Sequence, residues 1–274
     1  MPVQPDQPVK VPSRVAAPGA EASTDQISVG VVVLLERGPA LATMEEAHTA
    51  PPTGSGRVVV ISGEPGIGKS SLVRAFLADH EHDIRVLRGA CDDLATARPH
   101  GPFFDLALDG ADHLAAALDG DPDPSAMLRA LLADVAASGT VTVIVLEDIH
   151  WIDEASLDVL TAMMRRIEGT GALVVVTHRF VEYDTALFRA LGELDPRTTR
   201  SIGLEPLSAK AVAELAGVDA PSDLHHQTGG NPFFVIEMLS AADDGLPTTI
   251  TSALLARLHR LAPPTQQLLE LMSV

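Results

Sequence analysis

Residues Gly63-Glu64-Pro65-Gly66-Ile67-Gly68-Lys69-Ser70 have the types and spacing to hold a polyphosphate. The apolar run Val58-Val59-Val60-Ile61 precedes them, and residues 71–77 read as a helix. Strand, glycine loop, Lys-Ser and helix together form a phosphate-binding loop in the context it requires. The glycines let backbone N–H groups turn toward a triphosphate, and the helix N-terminus adds its positive end. Lys69 would reach the β- and γ-phosphates, and the Ser70 hydroxyl could ligate Mg²⁺. The nucleotide-contacting set is expected to run from Gly63 through Ser71. Lys10, Lys69 and Lys210 are the only lysines, so Lys69 is not drawn from a lysine-rich surface. The bland alternative, a chance match in a glycine-rich loop, is weakened by the flanking strand and helix.

Such a loop needs carboxylates on its metal side. Val141-Thr142-Val143-Ile144-Val145-Leu146 ends at Glu147-Asp148, an apolar strand closed by two acids. This is the Walker B arrangement, in which one acid serves the metal and the other polarises the attacking water. Spacing assigns Glu147 to the metal side and Asp148 to the water, with both counted as metal-site residues beside Ser70. Most such sites carry aspartate first. The alternative is an ordinary strand-end acid pair. Thr177-His178-Arg179 closes another apolar run. Arg179 is a candidate catalytic residue that senses the γ-phosphate, against the alternative of a surface arginine paired to an acid. His178 reads as structural.

The elements that must position these groups are strands at 57–62, 84–88, 141–146, 172–177 and, more weakly, 201–204. Their continuous apolar runs suit buried parallel strands. Helices are expected at 40–47, 102–118, 126–137 with Ser125 as cap, and 154–167 with Asp153 as cap. Strands alternating with helices imply a five-stranded parallel α/β sheet of the P-loop NTPase type, covered on both faces. Past Pro206 the strand signals stop. Helices are expected at 208–216, 223–227, 232–241, 249–261 and 264–273. The expected domains are a disordered arm at 1–25, a nucleotide domain at 26–204, a helical lid at 205–248 and the start of a truncated winged-helix-like region at 249–274.

Composition bounds the function. The 274 residues are 46% hydrophobic but only 3% aromatic, so the core must be aliphatic. A net charge of −18 argues against gripping nucleic acid or an anionic membrane electrostatically. The single cysteine, Cys91, cannot form an internal disulfide, which fits a reducing cytoplasm. No basic-then-apolar leader and no membrane-length apolar run is found, so a soluble cytoplasmic protein is expected.

The run Glu147-Asp148-Ile149-His150-Trp151-Ile152-Asp153 resembles the acid-acid-x-His-Trp-x-Asp signature in the ATPase domain of large LuxR-type transcriptional regulators. Those are signal-transducing ATPases among the AAA-like P-loop proteins. Leu34-Leu35-Glu36-Arg37, Gly89-Ala90-Cys91-Asp92, Leu204-Glu205-Pro206-Leu207-Ser208 and Thr228-Gly229-Gly230-Asn231-Pro232-Phe233-Phe234 look like further family segments in order. Leu246-Pro247-Thr248, followed by Leu254-Leu255-Ala256-Arg257-Leu258, looks like the entry to the family's winged-helix region. Gly38-Pro39 departs from the charged helix start usual in relatives, on the adenine side. Glu147 replaces the more frequent aspartate.

The resemblance implies an ATP/ADP- and Mg²⁺-binding switch with slow hydrolysis, open to self-association. It also implies that full-length relatives carry regulatory and DNA-binding regions, and neither is expected among these residues. The chain is therefore expected to be a fragment or a short relative, with no direct nucleic acid or membrane binding of its own. The rival functions are a nucleotide-loaded scaffold that never turns ATP over and a small-molecule kinase. A DNA-loading ATPase is disfavoured by the acidic charge. Other residues have bland readings: Trp151 as a packing anchor, Phe233 and Phe234 as core, Asn231-Pro232 as a helix start, and Arg165-Arg166 as a solvated helix end. His150 either orients the acids or is a satisfied core histidine. His225-His226 lacks partners for zinc.

Overall fold

Alternating strand residues feed two separate aliphatic cores, one on each face of a parallel sheet. The computed structural model describes residues 34–49, 56–93, 98–120, 123–179, 185–217, 221 and 223–240. The expected arm at 1–25, the region at 249–274 and the Leu246-Pro247-Thr248 segment lie outside the described residues. The described residues divide into two compact units between Glu205 and Pro206.

In the first unit the elements run α1 (Gly38–His48), β1 (Arg57–Ser62), α2 (Lys69–Asp79), β2 (Ile84–Ala90), α3 (Gly101–Leu108), α4 (Asp112–Leu118), α5 (Pro124–Ala137), β3 (Val141–Glu147), α6 (Glu154–Met164), β4 (Ala172–His178), α7 (Ala186–Gly192) and β5 (Thr199–Gly203). The sheet order is β2-β3-β4-β1-β5, and every pairing is parallel. On one face Val58, Val60, Ile144, Leu146, Val174 and Val176 pack with Phe103, Met127 and Leu160 from the α3, α5 and α6 helices. On the other, Val59, Ile61, Val143, Val145 and Val175 pack with Met44 of α1 and with Leu72 and Phe76 of α2. Period-two alternation along strands buried on both faces produces this division.

Three expectations are corrected. The single helix expected at 102–118 is two helices, because Gly110 turns to φ 101 between them. The cap of α5 is Asp123, not Ser125: its carboxylate accepts the Ala126 N–H, and Pro124 takes the first helical position. The helix expected at 154–167 ends at Met164 and gives way to a short 3₁₀ turn at Ile167–Gly169. Asp153 does cap α6, accepting the Ser156 N–H at 3.0 Å. The free edge of β2 is closed by one side chain of α3 and by that of Asp109, which caps the helix's C-terminus. Asp109 accepts the Arg88 N–H at 2.9 Å, and Asp105 accepts the Ala90 N–H at 3.1 Å.

The second unit contains α8 (Ala209–Ala216), α9 (Leu224–Thr228) and α10 (Pro232–Ser240). Ser208 caps α8 by accepting the Ala211 N–H. Gly230, at φ 74, lies so close to Leu207 that an added Cβ would sit 2.2 Å from that carbonyl oxygen. The Leu207 N–H donates to Gly230 O at 2.8 Å. The Gly-Asn-Pro segment therefore needs glycine for close backbone approach. Phe233, expected in the core, is exposed, and Phe234 is half-buried. The buried member of that turn is Val235.

Candidate functional site

The loop between β1 and α2 takes its shape from glycines at positive φ. Gly66 lies at φ 78 and Gly68 at φ 103. An added Cβ on Gly68 would meet nothing within 4 Å, so its requirement is conformational and the space above it is open. Gly68 is the N-cap of α2, and the first turn of that helix presents N–H groups with no preceding carbonyl to bond. Lys69 opens the helix and is buried. Its Nζ donates to Gly63 O at 3.0 Å and Glu64 O at 3.1 Å. Burial lowers its pKa; Asp148 opposes this, and Arg179 adds to it. The ammonium thus sits beneath the loop, held by the loop's own carbonyls.

The acids arrive from a strand that does not pair with β1, since β4 lies between them. The Ser70 hydroxyl nevertheless donates to the Glu147 carboxylate. Asp148 follows at φ 54, a left-handed value that aspartate tolerates better than most residues. Its N–H donates to the Thr177 hydroxyl at 3.0 Å, and Thr177 is buried. Thr177 therefore fixes the turn that carries Asp148. Sequence reading did not single it out; the available signal was a hydroxyl closing an apolar strand.

His150 and Trp151 form the next turn, with ring centroids 4.9 Å apart. His150 Nδ1 lies 3.7 Å from Asp148 Oδ1, and both ring nitrogens are buried without a hydrogen-bond partner. Burial pushes its pKa down to about 4; Asp148 opposes the shift, and Arg179 and Lys69 add to it. The ring is neutral and is not the satisfied core histidine of the bland reading. Trp151 packs against the core of its face. The Arg179 guanidinium lies 5.9 Å from the Trp151 ring centroid, and its Nε is buried without a partner. His178 Nδ1 meets Arg179 O, and burial lowers its pKa.

Lys69, Ser70, Glu147, Asp148 and Arg179 are thereby gathered at the C-terminal ends of β1, β3 and β4. Arg165 stands apart, paired with Glu193 at the surface. Cys91 is buried, and burial among acids pushes its thiol up to about 12. It is no nucleophile. Among the described residues, no group of three or more His, Cys, Asp or Glu could hold a metal alone. A hydroxyl beside a carboxylate does suit Mg²⁺, which takes one or two protein oxygens, waters and substrate phosphates. Among the described residues no helix is long and apolar enough to cross a membrane.

A parallel sheet with this loop and these acids defines a P-loop NTPase fold. The family described as AAA ATPase domain matches residues 33–176, more than half of the 274 residues. The chain belongs to that family. No curated protein matches it. Among solved structures it is similar to a signal transduction ATPase with numerous domains from Pyrococcus horikoshii, which carries a tetratricopeptide-repeat sensor. The identity is 17% and the TM-score 0.50, over 89% of this chain and 35% of that one. The Cdc6p protein of Pyrobaculum aerophilum is 15% identical with TM-score 0.53, over 80% of this chain and 65% of that one. The ORC1 protein of Aeropyrum pernix, solved in complex with DNA, is 14% identical with TM-score 0.52, over 77% of this chain and 60% of that one. The chain thus spans about a third of the first relative and under two thirds of the other two.

Proposed function

We propose that this chain is the ATP- and Mg²⁺-binding switch domain of a LuxR-type transcriptional regulator, with residues 26–204 as nucleotide domain and 205–248 as helical domain. The observation that carries the nucleotide site is the Ser70–Glu147 contact, which joins the loop to the acid strand across an intervening strand. The His-Trp and Gly-Asn-Pro-Phe-Phe segments support the regulator assignment. The relative with a sensor region beside its ATPase supports a signalling role.

In this reading, backbone N–H groups of residues 66–70 cradle the phosphates. Lys69 leaves the carbonyls of Gly63 and Glu64 to meet the β- and γ-oxygens. Ser70 and Glu147, with Asp148 alongside, would hold Mg²⁺, which would supply positive charge to neutralise the phosphates. Asp148, one residue beyond Glu147 and anchored through Thr177, orients the water whose oxygen attacks the γ-phosphorus in line. The bond to the bridging oxygen breaks as this bond forms, so that ADP leaves and the water's proton goes out with inorganic phosphate. Arg179 senses the γ-phosphate from the end of β4. Turnover is slow, as a switch requires.

Calorimetric titration with ATP and with ADP, each with Mg²⁺, tests the reading. Binding in the micromolar range, about −8 kcal/mol, is expected for the wild type and should vanish in Lys69→Ala. Unchanged affinity in that variant overturns the site.

A further inference from the structure

The opening segment carries a side chain whose partners lie far away in sequence. Glu36 sits at φ 56, a value uncommon for residues other than glycine. Beyond that bend the Arg37 side chain is buried, with 6% exposed. Its Nη2 donates to Ile67 O at 3.2 Å and to Glu205 O at 2.9 Å, and its Nη1 donates to Glu36 O at 3.3 Å. All three acceptors are backbone carbonyls. A buried guanidinium more often ends on a carboxylate or phosphate. This one fastens together two stretches of main chain.

Those stretches have different duties. Ile67 lies in the phosphate loop between Gly66 and Gly68. Glu205 is the last residue of the first unit. They also approach at the base of the loop. The Leu204 N–H donates to Ser62 O at 2.9 Å, and a Cβ added to Gly63 would lie 3.1 Å from Leu204 O. Arg37 extends this tie to the far side of the loop.

We propose that Arg37 is a positioning residue that couples the state of the phosphate loop to the backbone at residues 203–208, where the chain leaves the first unit. The inference rests on the nucleotide-binding role proposed above. Its physical path is short. Lys69 occupies Glu64 O, and the same carbonyl accepts the Ile67 N–H at 3.2 Å. A phosphate that draws Lys69 away frees that carbonyl and alters the turn containing Ile67. The Ile67 carbonyl then shifts against Nη2, which it shares with Glu205 O. Nη2 carries two N–H groups in one rigid plane, so a guanidinium that follows the Ile67 carbonyl also moves the N–H held by Glu205 O. Nucleotide occupancy is therefore felt at residue 205.

Amide hydrogen exchange of the full chain, read over residues 203–208 with and without ATP·Mg²⁺, tests the coupling. In the wild type, nucleotide should change exchange there by about fivefold or more, the lower end of ordinary site-to-site coupling. Arg37→Lys keeps the charge but loses the planar fork, and Arg37→Gln keeps a shorter neutral donor. Both should still bind nucleotide by calorimetry yet lose most of the exchange response. A merely structural arginine would alter stability and leave the nucleotide-dependent response in place. Wild type that binds ATP without an exchange change at 203–208 overturns the proposal, as does a full response in either variant. Folded wild type that binds neither ATP nor ADP overturns both the proposal and the nucleotide role beneath it.

Discussion

His150 shows what one buried ring does to the balance of the site. Its folded pKa is about 4, against an ordinary value of 6.5, chiefly because burial disfavours the imidazolium. The unfolded chain therefore binds a proton that the folded chain refuses between those two values. The sign follows directly: the contribution is complete above about pH 6.5 and is lost as pH falls toward 4. His48 and His178 are shifted in the same direction by burial, so the effect accumulates. Urea denaturation at pH 7 and pH 5 should show a lower midpoint at pH 5, and His150→Gln should shrink the difference. An equal pH effect in wild type and variant would remove His150 from the account. Lys69 and Ser70 were legible in the sequence because the glycine pattern and flanking elements leave little freedom in where they sit. The supports of the acid turn were not. Asp148 finds Thr177 29 residues on, and Arg37 finds Glu205 168 residues on. Both pairings depend on strand order, which composition and periodicity do not encode.

At the level of elements, the β2 edge shows how the fold closes itself. Asp105 on α3 and Asp109 at its C-cap, spaced i, i+4, lie on one side of the helix, and Arg88 and Ala90, spaced i, i+2, point their N–H groups the same way along the edge. The two spacings match, so two carboxylates satisfy two strand donors. An open edge invites another strand. Asp105→Ala should cost about 1 kcal/mol in urea unfolding, the net worth of one hydrogen bond. Together with Asp109→Ala, it should promote concentration-dependent association by sedimentation. A double variant that stays monomeric and equally stable would show the carboxylates to be incidental. The strands themselves were legible: Val58–Ile61, Val141–Leu146 and Ala172–Val176 are continuous apolar runs too short for buried helices. Two helical features were not. The alanine-rich stretch around Gly110 keeps a helical composition through the break, which only the glycine's φ reveals. The α7 helix is short and buries Leu187 and Ala190 while exposing Phe188, so its apolar stripe is faint, and Thr185 marks its start only through a cap bond. Strand order is the third gap, since nothing local says that β4 separates the loop strand from the acid strand.

For the whole molecule, charge is the dominant global property. Acidic residues number 37 against 19 lysines and arginines. Among the described cations, Arg165 is paired with Glu193 and Arg197 with Asp195. Arg74 turns back onto Ser70 O and the Ser71 hydroxyl, while Lys69 and Arg37 are buried. Duplex binding requires cations free to displace the counterions of several phosphates. A polyanion approaching this surface meets net repulsion at long range and few unengaged arginines at short range. Fluorescence anisotropy with a labelled duplex at about 0.1 M salt should give no binding up to roughly 10 µM protein, a concentration at which ordinary non-specific binders respond. Lowering the salt makes the comparison sharper, because screening then weakens and repulsion grows. A true basic patch would do the opposite, with affinity rising steeply as salt falls. Such a rise would overturn the reading of this chain as a nucleotide switch that leaves nucleic acid contact to other regions.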